Sequence, residues 1–218
     1  MNLKQTYVNV RAFFKENKSL LFILISTDLI FIALHTLYVY GIIDGNSNFS
    51  LEKDFGYSEI FQYIKEYWSF LLLFLVFIDK RKLTYLIWSA FFMYLLLDDS
   101  LSIHENVGEY LANYFNIQPK FNLRAVDFGE ILVSFLVGFI FLILFLFTYI
   151  KGKIEEKIII KNLAILVFAL AFFGVFIDVL HIALPFGENK LAVIEDGGEM
   201  FVMSIIIWYI FNLKYIRS

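Results

Sequence analysis

The stretch "LTYLIWSAFFMYLLLDDSLSIHENVG", residues 83–108, opens as a long apolar run and turns abruptly into two aspartates, a histidine and a glutamate. Leu83 to Leu101 is close to the roughly 20 residues that cross a hydrocarbon core. The same pattern recurs along the chain. With 60% apolar residues, 27 Phe, 2 Pro and a mean hydropathy of +0.73, the composition exceeds what the core of a soluble domain requires. Six stretches qualify as spans: Leu20 to Ile42, Ile60 to Ile78, Leu83 to Leu101, Val126 to Ile150, Asn162 to Leu184 and Leu191 to Leu213. Unpaired backbone groups are intolerable in lipid, and none of the six alternates with the period of a barrel strand. The expected fold is therefore all-α, a polytopic bundle of about six transmembrane helices, with residues 1–218 forming a single membrane domain.

Thirteen of the eighteen basic residues, Lys4, Arg11, Lys15, Lys18, Lys80, Arg81, Lys82, Lys151, Lys153, Lys157, Lys161, Lys214 and Arg217, fall on one side of these spans. That side is expected to be cytoplasmic, with both termini inside. The first apolar run is long enough to span and lacks a small-residue cleavage site after it, so it is expected to stay as an anchor. Two segments are expected to lie along the interface: residues 1–18 on the cytoplasmic side, where Tyr7, Val10 and Phe14 recur, and a helix in the outer loop 102–125. In the latter, Val107, Tyr110, Leu111, Tyr114 and Phe115 keep helical spacing. Lys65 and Glu66 interrupt the second span. Lys65 is expected to extend its charge to the interface, and Glu66, Glu59, Asp127 and Glu130 read as boundary or interface charges.

Zero cysteines exclude disulfides, thiolate metal sites and a cysteine nucleophile. The net charge of −3 and the scattered basic clusters give no stripe that could follow a phosphate backbone, so nucleic acid is not an expected partner.

Depth locates the remaining polar groups. At about 1.5 Å of rise per residue, Asp98, Asp99, His35 and Asp178 come to roughly the same level in the outer leaflet, with His181 slightly above. Glu195, Asp196 and Glu199 reach that layer from the outer end of the last span, and Glu130 from the start of the fourth. Each such charge costs about 2.5 kcal/mol or more if it faces lipid, so these groups must turn inward and find partners. Helical spacing agrees. Asp28 and His35, Asp98 and Glu105, Asp178 and His181, and Glu195 and Glu199 each share a helix face. Asp28 lies deeper and reads equally well as a helix-packing residue.

Carboxylates and imidazoles without cysteine suit a divalent metal ion, zinc, iron or manganese. Helix bundles build di-iron and di-manganese centres from glutamates and Glu-x-x-His pairs, whose spacing "DVLH", Asp178 to His181, repeats with Asp in place of Glu. Zinc on His35, His104 and His181 is an alternative. The candidate ligands are His35, Asp99, His104, Asp178, His181, Glu195 and Glu199, with Glu105 as general base acting on a bound water.

The motifs "DDSLSIHE", Asp98 to Glu105, and "EDGGEM", Glu195 to Met200, resemble a recurring group of uncharacterised bacterial multi-pass membrane proteins. That group carries Asp-[Asp/Glu]-x4-His-Glu at the end of one span and Glu-[Glu/Asp]-x2-Glu-Met at the start of a later one. The resemblance implies a polar core of Asp98, Asp99, His104, Glu105, Glu195, Asp196 and Glu199 and an inner-membrane location. It brings no activity with it. A fainter similarity is to ceramidase-like membrane hydrolases, which hold zinc with three histidines and an aspartate; their His-x3-His on the last helix is missing here. The expected function is a membrane metalloenzyme, hydrolase or oxidase, acting on a lipid or lipid-linked substrate at the outer leaflet. Alternatives are a proton- or cation-coupled transporter or channel subunit, and a sensory or assembly subunit whose acids only fix packing. A homo-oligomer or a membrane partner protein is left open.

Overall fold

The computed structural model describes residues 17–43, 45–183 and 188–213, without the side chains of 188 and 189. The interfacial segment expected before the first span therefore lies outside the described residues. Among those described, the chain forms seven helices and no strand. They are α1 (Lys18–Val39), α2 (Tyr57–Lys80), α3 (Leu83–Leu101), α4 (Ile103–Tyr114), α5 (Ala125–Lys151), α6 (Ile154–Ala183) and α7 (Glu188–Leu213). A short 3-10 turn, Ser47–Phe49, precedes α2, and α6 contains a π-helical segment, Phe172–Ile177.

α1, α2, α5 and α6 are long and apolar enough to cross a membrane; α3 with α4 makes a fifth if that bent pair is one span. The expected sixth span corresponds to α7, which interrupts its apolar sequence with Glu195, Asp196 and Glu199. It is nonetheless an internal helix. Met203, Ile206 and Ile210 are fully buried, and α7 packs against α1, α2 and α6. Leu73 of α2, Trp88 and Phe92 of α3 and Leu163 of α6 complete the same core. Trp88 stacks on Phe145 of α5 with ring centroids 3.9 Å apart.

α2 reverses the usual amphipathic rule. Its buried face carries Ser58, Gln62, Lys65, Glu66 and Ser69, while Ile60, Ile64, Trp68, Leu75 and Ile78 are exposed. A helix with this arrangement hides its polar groups from a surrounding that cannot hydrate them. α5 likewise turns Phe135, Phe139, Ile140 and Ile143 outward.

Lys65 corrects the sequence reading. It does not extend to an interface but is fully buried. Its Nζ lies 3.1 Å from Asp28 Oδ1 and donates to the Met200 carbonyl at 2.9 Å. Ser204 Oγ donates to the other Asp28 oxygen at 2.6 Å. One ion pair thus ties α1, α2 and α7 together. Glu66 is also buried, and so is Asp127 in the first turn of α5. Asp127 accepts from the Arg124 backbone N–H at 2.6 Å and from its guanidinium at 2.7 Å, capping α5.

A left-handed Ser102 (φ 48°) separates α3 from α4 and bends the path by 72°. Residues Val107, Tyr110 and Tyr114 of the expected interfacial stripe are exposed, while Gly108 and Ala112 are buried. The contact with α5 is made by glycine on glycine: a Cβ on Gly129 would sit 2.0 Å from the Gly108 carbonyl oxygen.

Breaking a buried pair strands a charge at a cost of about 3–5 kcal/mol, whereas replacing both partners with apolar groups costs far less. Lys65→Met and Asp28→Asn should each lower the thermal midpoint of the detergent-solubilised protein markedly. The double variant Lys65→Met/Asp28→Leu should recover much of that loss, and a thermal melt followed by size-exclusion chromatography reads the difference.

Candidate metal centre in an acidic cavity

The C-terminal ends of α3 and α6, the N-terminal ends of α2, α5 and α7, and the α1–α2 loop surround a cavity of about 740 Å³ at one end of the bundle. Eleven aspartates and glutamates line it, against Lys53 and Arg124 as the permanent cations. Local geometry explains how they meet.

At the end of α3, the left turn at Ser102 frees the first amides of α4, and Asp98 reaches forward to cap them. Its Oδ1 accepts the His104 backbone N–H at 2.9 Å while Oδ2 lies 3.2 Å from the imidazole Nδ1. Hydrogen bonding to this carboxylate holds the His104 imidazole up at about 9 against the opposing effect of burial. Asp98, Asp99 and His104 offer ligand atoms within 4.8 Å of one another, a spacing that could hold a metal ion. Tyr63 of α2 donates to the Asp99 carbonyl at 3.2 Å and fixes this corner.

On α6, π-helical segments often mark functional sites because the extra residue re-aims the side chains around it. Here Gly174 within that segment leaves room for Glu199: a Cβ on Gly174 would lie 2.0 Å from Glu199 Oε1. On α7, a Cβ on Gly198 would lie 2.3 Å from the Phe173 ring, and one on Gly197 would lie 3.1 Å from Ile32 of α1. The two glycines of "EDGGEM" thus let α7 sit close between α1 and α6, carrying its acids into the cavity. Below them, Asp178 is in hydrogen-bonding contact with Glu195, and His181 Nδ1 lies 2.7 Å from Glu195 Oε2. The other nitrogen of His181 lies 3.8 Å from Glu52.

Of the residues expected from sequence, Asp99, His104, Glu105, Glu130, Asp178, His181, Glu195, Asp196 and Glu199 line this one cavity. Asp98 stands just behind it, holding His104. Two others lie elsewhere. Asp28 is closed by Lys65 and Ser204, and His35 lines no part of the cavity: its Nδ1 accepts the Leu51 N–H at 3.1 Å, anchoring the α1–α2 loop. Counting rise along α1 carries no information about which neighbour the His35 face meets.

Sequence reasoning missed Glu66. Its side chain is 1% exposed, it is in hydrogen-bonding contact with Asp99, and its Oε2 is buried with no partner. Gln62 Oε1 and Ser58 Oγ, one and two turns earlier on the same face, are buried and unpartnered as well. Buried polar atoms are normally satisfied, so three in a line toward one site point to something that the site binds. The recoverable signal was the i, i+4, i+8 spacing of Ser58, Gln62 and Glu66 within an otherwise apolar helix.

Fold and site together define a class of protein: an all-helical bundle with several helices apolar enough to span a membrane, enclosing an acidic cavity with two histidines at one end. The chain belongs to the family described as Domain of unknown function (DUF8692), whose model matches residues 46–214. Every residue lining the cavity falls within that match, whereas Asp28 and His35 precede it. No curated protein and no solved structure matches the chain.

Overpacking a tight contact costs about 1–3 kcal/mol. Gly174→Ala should therefore lower the melting midpoint and displace Glu199, whereas Gly138→Ala, where a Cβ meets nothing within 4 Å, should leave the midpoint unchanged or raise it. Parallel melts of the two variants make the comparison.

Proposed function

We propose that the chain is a six-span membrane protein of a bacterial inner membrane. Both termini are cytoplasmic, the cavity opens to the outer face, and α4 lies along that face. We infer that the cavity binds a divalent metal ion, zinc, iron or manganese, and acts on a lipid or lipid-linked substrate by hydrolysis or oxidation. The observation that carries this reading is the buried, unpartnered Glu66 oxygen set against Asp99, within reach of the Asp98, Asp99 and His104 cluster. To stay ionised, a carboxylate with that little hydration needs a counter-charge, and an ion between acid and imidazole ligands supplies one.

In this reading Glu66, Asp99, His104 and Glu199 hold the ion, and Asp98 orients His104 as outer partners of metal-bound histidines do. Asp178, His181 and Glu195 form the facing wall. Glu105, next to His104 and on the cavity lining, is the general base for a water that the ion activates. A three-histidine zinc site receives less support, since His35 is held by the Leu51 amide. The carrier reading also receives less, because Asp28, its deep step, is already satisfied by Lys65 and Ser204.

Metal analysis by mass spectrometry on protein purified without chelator tests the reading. About one equivalent per chain is expected, falling severalfold in Glu66→Gln, Asp99→Asn and His104→Ala and unchanged in Glu109→Gln at the cavity lining. Less than about a tenth of an equivalent of zinc, iron and manganese together in the native protein would overturn it.

A further inference from the structure

A second cavity of about 270 Å³ adjoins the acidic one and shares Asp99, His104, Glu130, Asp178 and Glu199 with it. From this common wall it runs down between α3, α5 and α6, and its character changes. Phe91, Leu95, Ile131, Val137, Val167 and Leu170 line the far part. On α5, Ile131, Ser134 and Gly138 occupy one face at helical spacing, and a side chain at Gly138 would enter open space. The floor of a charged chamber is therefore continuous with an apolar groove beside outward-facing Phe135 and Phe139.

An acidic chamber that leads into a groove whose far part is apolar matches an amphiphile, with its head among the carboxylates and its chain in the groove. The excess of acids over Lys53 and Arg124 selects for a head that carries a cationic nitrogen and against one with net negative charge. We propose that the groove holds one hydrocarbon chain of a membrane lipid with an ammonium head group, placing the head at Glu130 and Asp178 of the shared wall, beside the acids that hold the ion. This rests on the metal-site reading for the chemistry done there, and it names the substrate class that reading leaves open.

The test is native mass spectrometry of protein released from vesicles of equal parts phosphatidylethanolamine and phosphatidylglycerol, both with sixteen-carbon chains. One phosphatidylethanolamine per chain should stay bound, at roughly tenfold preference over phosphatidylglycerol. Gly138→Trp, which fills the groove, should reduce retention about fivefold or more, while Phe139→Trp on the outward face should not. On the native protein, a six-carbon-chain phosphatidylethanolamine in excess should fail to displace the retained lipid, which keeps the test decisive if Gly138→Trp does not fold. No retained lipid, equal retention of the two head groups, equal retention in Gly138→Trp and native protein, or displacement by the short-chain lipid would each overturn the proposal. Metal measured on the same samples separates the two inferences: metal without selective lipid removes the groove, and selective lipid without metal removes the metal centre.

Discussion

A charge in hydrocarbon must be enclosed by its own protein, and that requirement orders the rest of this molecule. α2 shows it most plainly. With lysine, glutamate, glutamine and two serines on its buried face and isoleucines, a leucine and a tryptophan outside, it would be inverted in water. The enclosed groups then have to be answered from neighbouring helices. Lys65 finds Asp28 on α1 and the Met200 carbonyl on α7, whereas Glu66 meets a second acid, Asp99 on α3, and keeps one oxygen without a partner. Apolar contacts can slide at little cost, whereas these pairings set the register of α2 against three other helices.

Small local features convert that enclosure into a site. One left-handed residue, Ser102, ends α3 and lets Asp98 cap α4, which brings His104 beside Asp99. Gly108 and Gly129 let α4 lie directly on α5. Gly174, Gly197 and Gly198 let α7 approach α6 and α1 closely enough for Glu199 to enter. At each point the missing Cβ is filled by another residue's backbone or side chain, so the glycines and the acids are parts of one construction.

Much of this was legible in the sequence, for a definite reason. The cost of a charge in lipid is large enough that depth alone separated Asp99, Asp178, Glu195 and Glu199 from surface charges, and the structure places them on one cavity. The all-helical fold and the helix at residues 103–114 were legible by the same logic of periodicity. Rotation about a helix axis was not. His35 faces the Leu51 amide, and Asp28 faces Lys65. Lys65 and Glu66 were read as interfacial because two adjacent charges near a helix end commonly are, and only the partner helices reveal that they point inward. The close glycine crossings depend on contacts between residues far apart in sequence, and no single-helix pattern encodes them.

An acidic chamber joined to an apolar groove is what the proposed chemistry at a lipid head requires, with the bundle supplying the enclosure. The convergence of acids from α2, α3, α6 and α7 underlies that reading, and the absence of cysteine from the chain makes it directly measurable. Cross-linking by a short bifunctional thiol reagent can be followed in membranes for the paired replacements Glu66→Cys with Asp99→Cys and Asp178→Cys with Glu195→Cys, using Asp28→Cys with Ser204→Cys as the reference contact. The geometry described here predicts that both site pairs form bridges as readily as the reference pair. Efficient bridging of the reference alone, with neither site pair joined, would contradict the existence of a common cavity.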